Sequence, residues 1–311
     1  MEVGHQEPGA LPQFTSHPAS HTPEGKSQMD IVLSEHGYGE SSIPLILVSR
    51  SRHTDRVRRL SVDVRLAGGI PEVFTDGRNE HLLSTNAISN AVYALSADHA
   101  DAETEEFALA LCRHFLVSSP STESVEVTVT ATEFAPMGHE ENSPRHSFRY
   151  IPAPRATSRA VGHRGENPCL WSGMSGLELF KTTGSTFTGF RQDKYLTIQP
   201  FADRVFGVEL TAEWQYRDAE RFDGSSRARA QEAIHEEFAA HISRSSQHTL
   251  HRLAEAVIGT CAEVCRVRMA GAHLTRGLVD LSPFHVDNPG IVYTATEHQT
   301  SPLAIEVTVG A

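Results

Sequence analysis

Four side chains far apart in the sequence have the chemistry to hold one flat anion. Phe187 offers an aromatic face, Arg204 a guanidinium fork, Gln247 an amide and His273 an imidazole. A guanidinium matches a pair of in-plane acceptors, and an aromatic ring stacks on a heteroaromatic plane. If the fold brings the four together, they favour a site for a planar, anionic, purine-like ring.

Each of these residues also has an ordinary structural interpretation. Phe187 lies in an apolar-rich stretch typical of a core, and Arg204 follows Asp203, as in a surface pair at a strand end. Gln247 could simply flank a helix, and His273 could be a solvated or structural histidine. A further candidate, Thr85, could be an ordinary strand threonine. The ligand-site hypothesis therefore depends on the residues acting jointly.

The length and composition of the chain limit the kinds of ligand that such a site can bind. A chain of 311 residues is long enough for two domains that share an interface. The formal net charge of -12 argues against a nucleic-acid partner but allows one Arg to dominate a small pocket. Four scattered cysteines do not form a disulfide framework, which favours a reducing, cytoplasmic setting.

Several classes of protein are disfavoured by what the sequence lacks. No apolar run is long enough to span a bilayer, and the N-terminus lacks a secretory signal pattern, so no membrane partner is predicted. Phosphate-cradling glycine loops, HExxH and GxSxG are absent, and no metal site is predicted. Residues 1–30 are rich in Pro, His, Gly and Ser, which predicts a flexible leader.

The rest of the chain alternates between two periodicities. Apolar residues recur at every second position in 60–66, 125–129, 208–216 and 303–309, as in strands with one buried face. Helical stripes run through 107–116, 230–242 and 250–258. These patterns predict an α+β fold, an antiparallel sheet with helices on one face.

The order of these segments is similar in the two halves of the chain, which indicates a weak internal duplication. A segment rich in Gly and Arg at 155–167 separates the halves. We therefore place one domain at 31–155 and a second at 156–311.

Motifs along nearly the whole body follow one family pattern. They are Leu83-Ser84-Thr85-Asn86, the run from Lys181 to Phe190, Asp203-Arg204, Trp214-Gln215-Tyr216, Gln247, His273 and Asp280-Leu281-Ser282-Pro283-Phe284. In these residues, their order and their spacing, the chain resembles the urate oxidase (uricase) family, above all its actinobacterial branch.

The resemblance implies a fold, an assembly and an activity. It implies two tandem tunnelling-fold (T-fold) domains that form a barrel in a homotetramer, with sites at the subunit interfaces. It also implies oxidation of urate or a related heterocycle by dioxygen without a cofactor, giving a C5-oxygenated product and peroxide.

Roles for the site residues follow from the same resemblance. Phe187 would stack on the substrate ring, Arg204 would hold its anionic edge in a bidentate pair, and Gln247 would bond the opposite edge. Ser246 occupies a position where the family usually offers a backbone amide from a small apolar residue. Thr85 of a neighbouring subunit would form a proton relay with His273.

Three positions depart from the family pattern. Glu40 stands where the family has a lysine that completes the relay, so the charge is reversed. A carboxylate beside His273 would favour imidazolium and repel an anionic substrate unless protonated. Gly271 lies where the family has an asparagine at the dioxygen site, so we expect open space there in place of an amide. Asn86 lies where the family usually has an aspartate.

These departures leave three hypotheses open. The first is a cofactor-free oxidase acting on a urate-like ring, with Glu40 as base or as a partner that tunes His273. The second is a different reaction on a modified purine or pteridine, with Gly271 making room for a substituent. The third is a non-catalytic purine-binding protein. The presence of both Thr85 and His273 favours the first two, since binding alone does not need that pair.

Overall fold

Nine strands make up the sheet of the computed structural model, which describes residues 31–50, 55–137, 146–274, 276–295 and 300–310. The strands in these ranges are β1 (Gly37–Ser49), β2 (Arg56–Ala67), β3 (Ser124–Pro136), β4 (Phe148–Tyr150), β5 (Arg155–His163), β6 (Cys169–Lys181), β7 (Phe206–Tyr216), β8 (Val264–Leu274) and β9 (Thr300–Thr308). Neighbouring strands pair antiparallel in the order β1-β2-β3-β5-β6-β7-β8-β9, and β4 pairs with β3 outside this order. The predicted leader, 1–30, lies outside the described residues.

Five α-helices accompany these strands within the described ranges. They are α1 (Pro71–Thr75), α2 (Thr85–Asp98), α3 (Thr104–Ser118), α4 (Ser226–Ala240) and α5 (Ser246–Thr260), with 3-10 turns at Ala219–Arg221 and Ser282–Phe284. None of the helices in this part of the chain is long and apolar enough to cross a membrane.

The elements repeat once along the chain. Strands β1 and β2 are followed by α2, α3 and then β3 and β5, and strands β6 and β7 are followed by α4, α5 and then β8 and β9. The predicted α+β architecture is confirmed. The boundary at 155/156 stays a prediction, since β5 begins at Arg155 and pairs with β3, and Glu35–Ala311 forms one compact unit. In this element order the first repeat ends with β5 and the second begins with β6.

One core lies between the sheet and its helices. In β2, Val62, Val64 and Leu66 are buried while Arg65 between them is exposed, because successive strand side chains face opposite ways. Phe107 of α3 and Leu253 of α5 belong to the same buried cluster. Fully burying one such side chain contributes about 1.5–3 kcal/mol, so the shared core binds both halves together.

Charged side chains lie on the opposite face of the sheet around Trp171. Trp171 of β6 lies there between the guanidinium groups of Arg159 and Arg268, whose Cζ atoms are 5.0 and 4.4 Å from its ring centroid. Arg159 also pairs with Glu126, and Arg268 with Glu306. Salt bridges and cation–π contacts therefore replace a helical layer on this face.

A buried ion pair connects the two halves. Glu105, in the first turn of α3, is 3% exposed, and its Oε1 lies 2.7 Å from Nη2 of Arg227 in the first turn of α4. The same Nη2 donates to the hydroxyl of Ser158 on β5 at 3.0 Å, and the hydroxyl of Ser172 on β6 donates to Glu105. This network contains groups from both halves.

Candidate functional site

A cavity of about 670 Å³ opens at the start of α5, beside the segments before β7 and after β8. Its walls include Phe187, Arg204, Ser246, Gln247 and His273. The structure thus brings together five residues that were predicted from widely separated parts of the sequence.

Arg204 presents its guanidinium among three aromatic rings. Its Cζ lies 5.0 Å from the ring centroid of Phe187, 6.0 Å from that of Phe201 and 5.9 Å from that of Phe206. Burial lowers the pKa of Arg204. Its Nε is buried with no hydrogen-bond partner among the described residues, so a donor is left for a ligand acceptor.

The carboxylate of Asp203 organises the loop rather than neutralising its neighbour. It accepts the backbone N–H groups of Gly184 at 2.9 Å, Ser185 at 3.2 Å and Arg204 at 3.0 Å. Hydrogen bonds from the Thr183 hydroxyl and then from these amides lower the pKa of Asp203. The alternative interpretation of Arg204 as the side-chain partner of Asp203 is therefore wrong.

Phe187 is held in the wall by its backbone and by its ring. It exchanges two 2.9 Å backbone hydrogen bonds with Phe201. Its ring stacks on that of Phe190 with centroids 4.8 Å apart and planes 23° apart. Phe187 is half-buried and lines the cavity beside the Arg204 guanidinium.

The N-terminus of α5 supplies a second favourable group for an anion. Ser245 caps the helix by accepting the backbone N–H of His248 at 3.1 Å, and Ser246 and Gln247 are the first two helical residues. Backbone N–H groups of a first turn have no partner inside the helix, and they carry partial positive charge. Ser246 is buried and Gln247 is exposed at the cavity.

His273 stands opposite Val208 in the β7–β8 pairing, with its imidazole toward the cavity. The ring stacks on Phe206 with centroids 5.5 Å apart, and its Nδ1 lies 3.4 Å from the hydroxyl of Ser246. Burial lowers the pKa of His273, and the positive charges of Arg204 and Arg276 lower it further. The imidazole is therefore neutral near pH 7 and able to accept a proton.

Glu40, Thr85 and Asn86 lie elsewhere in the protomer. Glu40 is on β1, at one end of the sheet, and β2, β3, β5, β6 and β7 separate that strand from β8. Thr85 and Asn86 are the exposed first residues of α2, so the interpretation of Thr85 as a strand threonine is wrong. Their predicted roles depend on a second copy of the chain.

The strand that carries Glu40 is fixed to the segment that leads into Thr85. The phenolic oxygen of Tyr38 accepts the backbone N–H of Leu83 at 3.0 Å. Just after Glu40 the pairing with β2 shifts at a bulge, where Ser42 has a φ of 59°. The two predicted relay residues therefore come from one connected part of the protomer.

The expectation of open space at Gly271 is wrong. A Cβ at this position would lie 2.7 Å from the carbonyl oxygen of Glu209 and 3.0 Å from Cδ2 of Leu210. Gly271 pairs with Leu210 across β7 and β8, so the backbone itself fills the volume that a side chain would need. The glycine allows the two strands to approach closely and gives no room for a ligand substituent.

Restoring an asparagine at this position is expected to destabilise the protein. Gly271→Asn should lower the free energy of unfolding by roughly 1–3 kcal/mol, because the added side chain must displace packed neighbours. Urea denaturation measures this, with Ala272→Asn on the other face of the same strand as the control. Equal stability of the two variants would contradict the crowding.

The cavity also contains residues that sequence reasoning missed. Among them are Arg276, Leu278 and Tyr293. They lie in an irregular segment after β8 that has no hydrophobic period, so no pattern in the sequence could identify them. Within the described ranges no group of three or more His, Cys, Asp or Glu side chains is placed to hold a metal ion.

Comparison with known proteins agrees with this geometry. The Uricase family model matches residues 170–302. Uricase from Arthrobacter globiformis is 31% identical over 279 residues, which cover 89% of each chain. This chain belongs to the uricase family. Uricase from Danio rerio is 24% identical over 275 residues, covering 86% of this chain and 91% of the fish protein.

Solved structures of the uricase family show the same fold. The crystal structure of Arthrobacter globiformis uricase matches with a TM-score of 0.84 at 28% identity, over 90% of this chain and 96% of that one. Urate oxidase from Bacillus sp. TB-90 matches with a TM-score of 0.76 at 20% identity, over 88% and 100% of the chains. The resemblance found in the sequence and the tandem T-fold class are confirmed.

Proposed function

We propose that this protein is a cofactor-independent oxidase of the urate oxidase type, acting with dioxygen on urate or a closely related purine-like anion. One observation carries the proposal. A single cavity combines a buried guanidinium donor without a partner, an aromatic wall, a helix N-terminus and a neutral imidazole. Membership in the uricase family supports the same reaction type.

In this proposal the ring binds by shape and by charge. Phe187 stacks on the heteroaromatic plane, and Arg204 donates to two acceptors on one anionic edge. Gln247 bonds the opposite edge with its amide, and the backbone of Ser246 adds the positive end of α5. A flat anion satisfies the Arg204 Nε that has no partner among the described residues.

The chemistry assigned to the site is a two-electron oxidation. The substrate dianion transfers two electrons to dioxygen, water supplies the oxygen that bonds to C5, and the oxygen molecule leaves as hydrogen peroxide. His273 accepts and returns protons, together with the hydroxyl of Thr85 from a neighbouring copy. Glu40 replaces the family's lysine, either as the base or as the group that tunes His273.

Completion of the site is proposed to need other copies of this chain. The cavity lies near the β9 end of the sheet, whereas Glu40 and Thr85 lie at the β1 end. Exposed apolar side chains, Ile198, Phe201 and Leu278, surround the cavity. A homotetramer in which one copy's β1 end covers another's cavity would bury these groups and bring the relay to His273.

Oxygen dependence tests the proposed reaction. Wild-type protein mixed with urate in air is expected to consume oxygen, release peroxide and remove the ultraviolet absorbance of the substrate. The same mixture without oxygen should be inert. Arg204→Gln is the control that disables the site, with urate bound at least about 30-fold more weakly because a buried charge pair is lost. Equal rates with and without oxygen would exclude an oxidase.

The second candidate is a different reaction on a modified purine or pteridine at the same site. The imidazole of His273 in the cavity wall favours a reaction of either kind over pure binding, since binding alone does not need a proton acceptor. Incubation with a panel of purines and pteridines, read by mass spectrometry, distinguishes the candidates by the mass of the product.

A further inference from the structure

A serine hydroxyl lies against the proposed proton acceptor of the cavity. Ser246, the first residue of α5, is 8% exposed, and its Oγ lies 3.4 Å from Nδ1 of His273. Both side chains line the cavity. A small apolar residue, which the uricase family usually has at this position, could not make the contact. The hydroxyl is therefore a feature that this chain adds to the site.

The two partners belong to regular elements of the fold. The imidazole of His273 stacks on Phe206 with ring centroids 5.5 Å apart, and its backbone belongs to β8, which pairs with β7. Ser246 is fixed in the first turn of α5, where Ser245 accepts the backbone N–H of His248 at 3.1 Å. The contact thus connects a capped helix to a paired strand.

The direction of this hydrogen bond determines what the imidazole can do. Neither side chain makes another hydrogen bond within the described residues. A neutral imidazole has one N–H and one acceptor nitrogen, and a hydroxyl has one proton and two lone pairs. If the hydroxyl donates to Nδ1, Nε2 carries the ring proton and the ring has no free acceptor. If Nδ1–H donates to Oγ, Nε2 is a free acceptor and the hydroxyl proton is available to a ligand.

An anion in the cavity favours the second arrangement. The guanidinium of Arg204 and the start of α5 attract a negatively charged edge to the wall that contains Ser246. A hydrogen bond to an ionised acceptor is about twice as strong as one between neutral groups. The hydroxyl proton therefore turns to the anion, and Oγ accepts the N–H of Nδ1.

We infer that Ser246 bridges the substrate and His273. Its hydroxyl donates to the anionic edge of the ring and accepts Nδ1–H, which leaves Nε2 as the proton acceptor. When Nε2 accepts a proton, which it later returns, the imidazolium keeps the same bond because Nδ1 remains a donor. The bridge thus holds one tautomer before and after proton transfer. This inference rests on the proposed oxidation of a ring anion and adds a residue that contacts the substrate.

Two substitutions of the same shape test the hydroxyl itself. Ser246→Thr keeps it, and Ser246→Val replaces it with a methyl group. Ser246→Val is expected to lower kcat for urate about tenfold, because His273 loses the partner that fixes its tautomer. Calorimetry without oxygen should show urate bound about tenfold more weakly, as the loss of one hydrogen bond to a charged group implies. Ser246→Thr should recover most of both losses.

Nuclear magnetic resonance of the ring nitrogens measures the tautomer directly. Full-length protein with isotopically labelled histidine is studied with urate and without oxygen at pH 8, about 1.5 units above the ordinary histidine pKa. The signals of His273 are those that disappear in His273→Asn. The proton is expected on Nδ1 in the wild type and in Ser246→Thr, and on Nε2 in Ser246→Val.

Controls separate the bridge from general effects. Thr260→Val removes a hydroxyl from the exposed end of α5 and should alter neither turnover nor urate binding. Thermal unfolding verifies that each variant is folded. The bridge is overturned if the wild type holds the proton on Nε2, if Ser246→Val works as well as the wild type, or if Thr and Val at this position impair the protein alike. If the wild type neither binds nor oxidises urate, the proposed function fails, and the bridge fails with it.

Discussion

Glu105→Gln is expected to lower the free energy of unfolding by about 3–5 kcal/mol, the usual effect of removing one partner of a buried pair. The change keeps the size of the side chain but leaves the Arg227 guanidinium without its counter-charge at a distance of 2.7 Å. The Ser172 hydroxyl would also lose its ionic acceptor. Urea denaturation followed by circular dichroism measures the loss.

Two further variants make this prediction specific. Glu106→Gln changes the next residue of α3, which is exposed, and should leave stability nearly unaltered. Combining Glu105→Gln with Arg227→Met should recover much of the loss, since no unpaired charge then remains buried. A single Glu105→Gln variant as stable as Glu106→Gln would show that the pair does not hold the halves together.

His273→Asn is expected to reduce turnover about 10²–10⁴-fold, the range by which a positioned proton acceptor accelerates a reaction. Substrate binding should change far less, because Arg204 and the start of α5 hold the anion. Stopped-flow turnover together with calorimetric binding separates the two effects. His251→Asn, an exposed histidine of α5, is the matched control. Equal turnover of the two variants would remove His273 from the mechanism.

The pH dependence of the wild type follows from the same residue. Burial and then Arg204 and Arg276 lower the pKa of His273, so kcat/KM should fall only at pH below the ordinary value of about 6.5. Between the two pKa values the unfolded chain binds more protons than the folded one. The stability from the neutral ring is therefore complete above about pH 6.5 and is lost as pH falls through the folded pKa. An acid limb above pH 6.5 would instead indicate that a carboxylate such as Glu40 of a neighbouring copy raises the pKa of His273.

Much of the fold was predictable because large apolar residues mark its strands and helices. The alternation in β2, β3 and β7 and the stripe in α3 correspond to buried faces in the structure. Strand β5 was missed, since the residues it turns to the core are Ser158, Ala160 and Gly162. A Cβ at Gly162 would meet Sγ of Cys112 at 2.8 Å, so close packing against α3 requires small residues that carry no hydrophobic signal.

The end of α4 was also misplaced by the periodicity. The stripe was extended to Ile242, but the helix ends at Ala240 and Ile242 is 62% exposed. The fit of one more apolar residue to a helical period does not show that the backbone continues.

The candidate site, like the fold, was predictable from the sequence only in part. Phe187, Arg204, Gln247 and His273 were predicted jointly, and one cavity contains them all. The crowding at Gly271 could not be foreseen, because it depends on the distance between two strands. The placement of Glu40 and Thr85 relative to the cavity stays a prediction, since it depends on how copies assemble.

The two edge strands of the sheet affect the solubility of the protein as well as its activity. In the described strand order, β1 and β9 each have one side without a neighbour. Joining β1 of one molecule to β9 of the next is a head-to-tail contact, which closes into a ring at the right angle and otherwise grows into a filament. The unpaired backbone N–H and C=O groups of an edge strand can form hydrogen bonds with another extended chain. A substitution that disturbs β1 or β9 is therefore expected to lower the solubility of the protein before it lowers the activity.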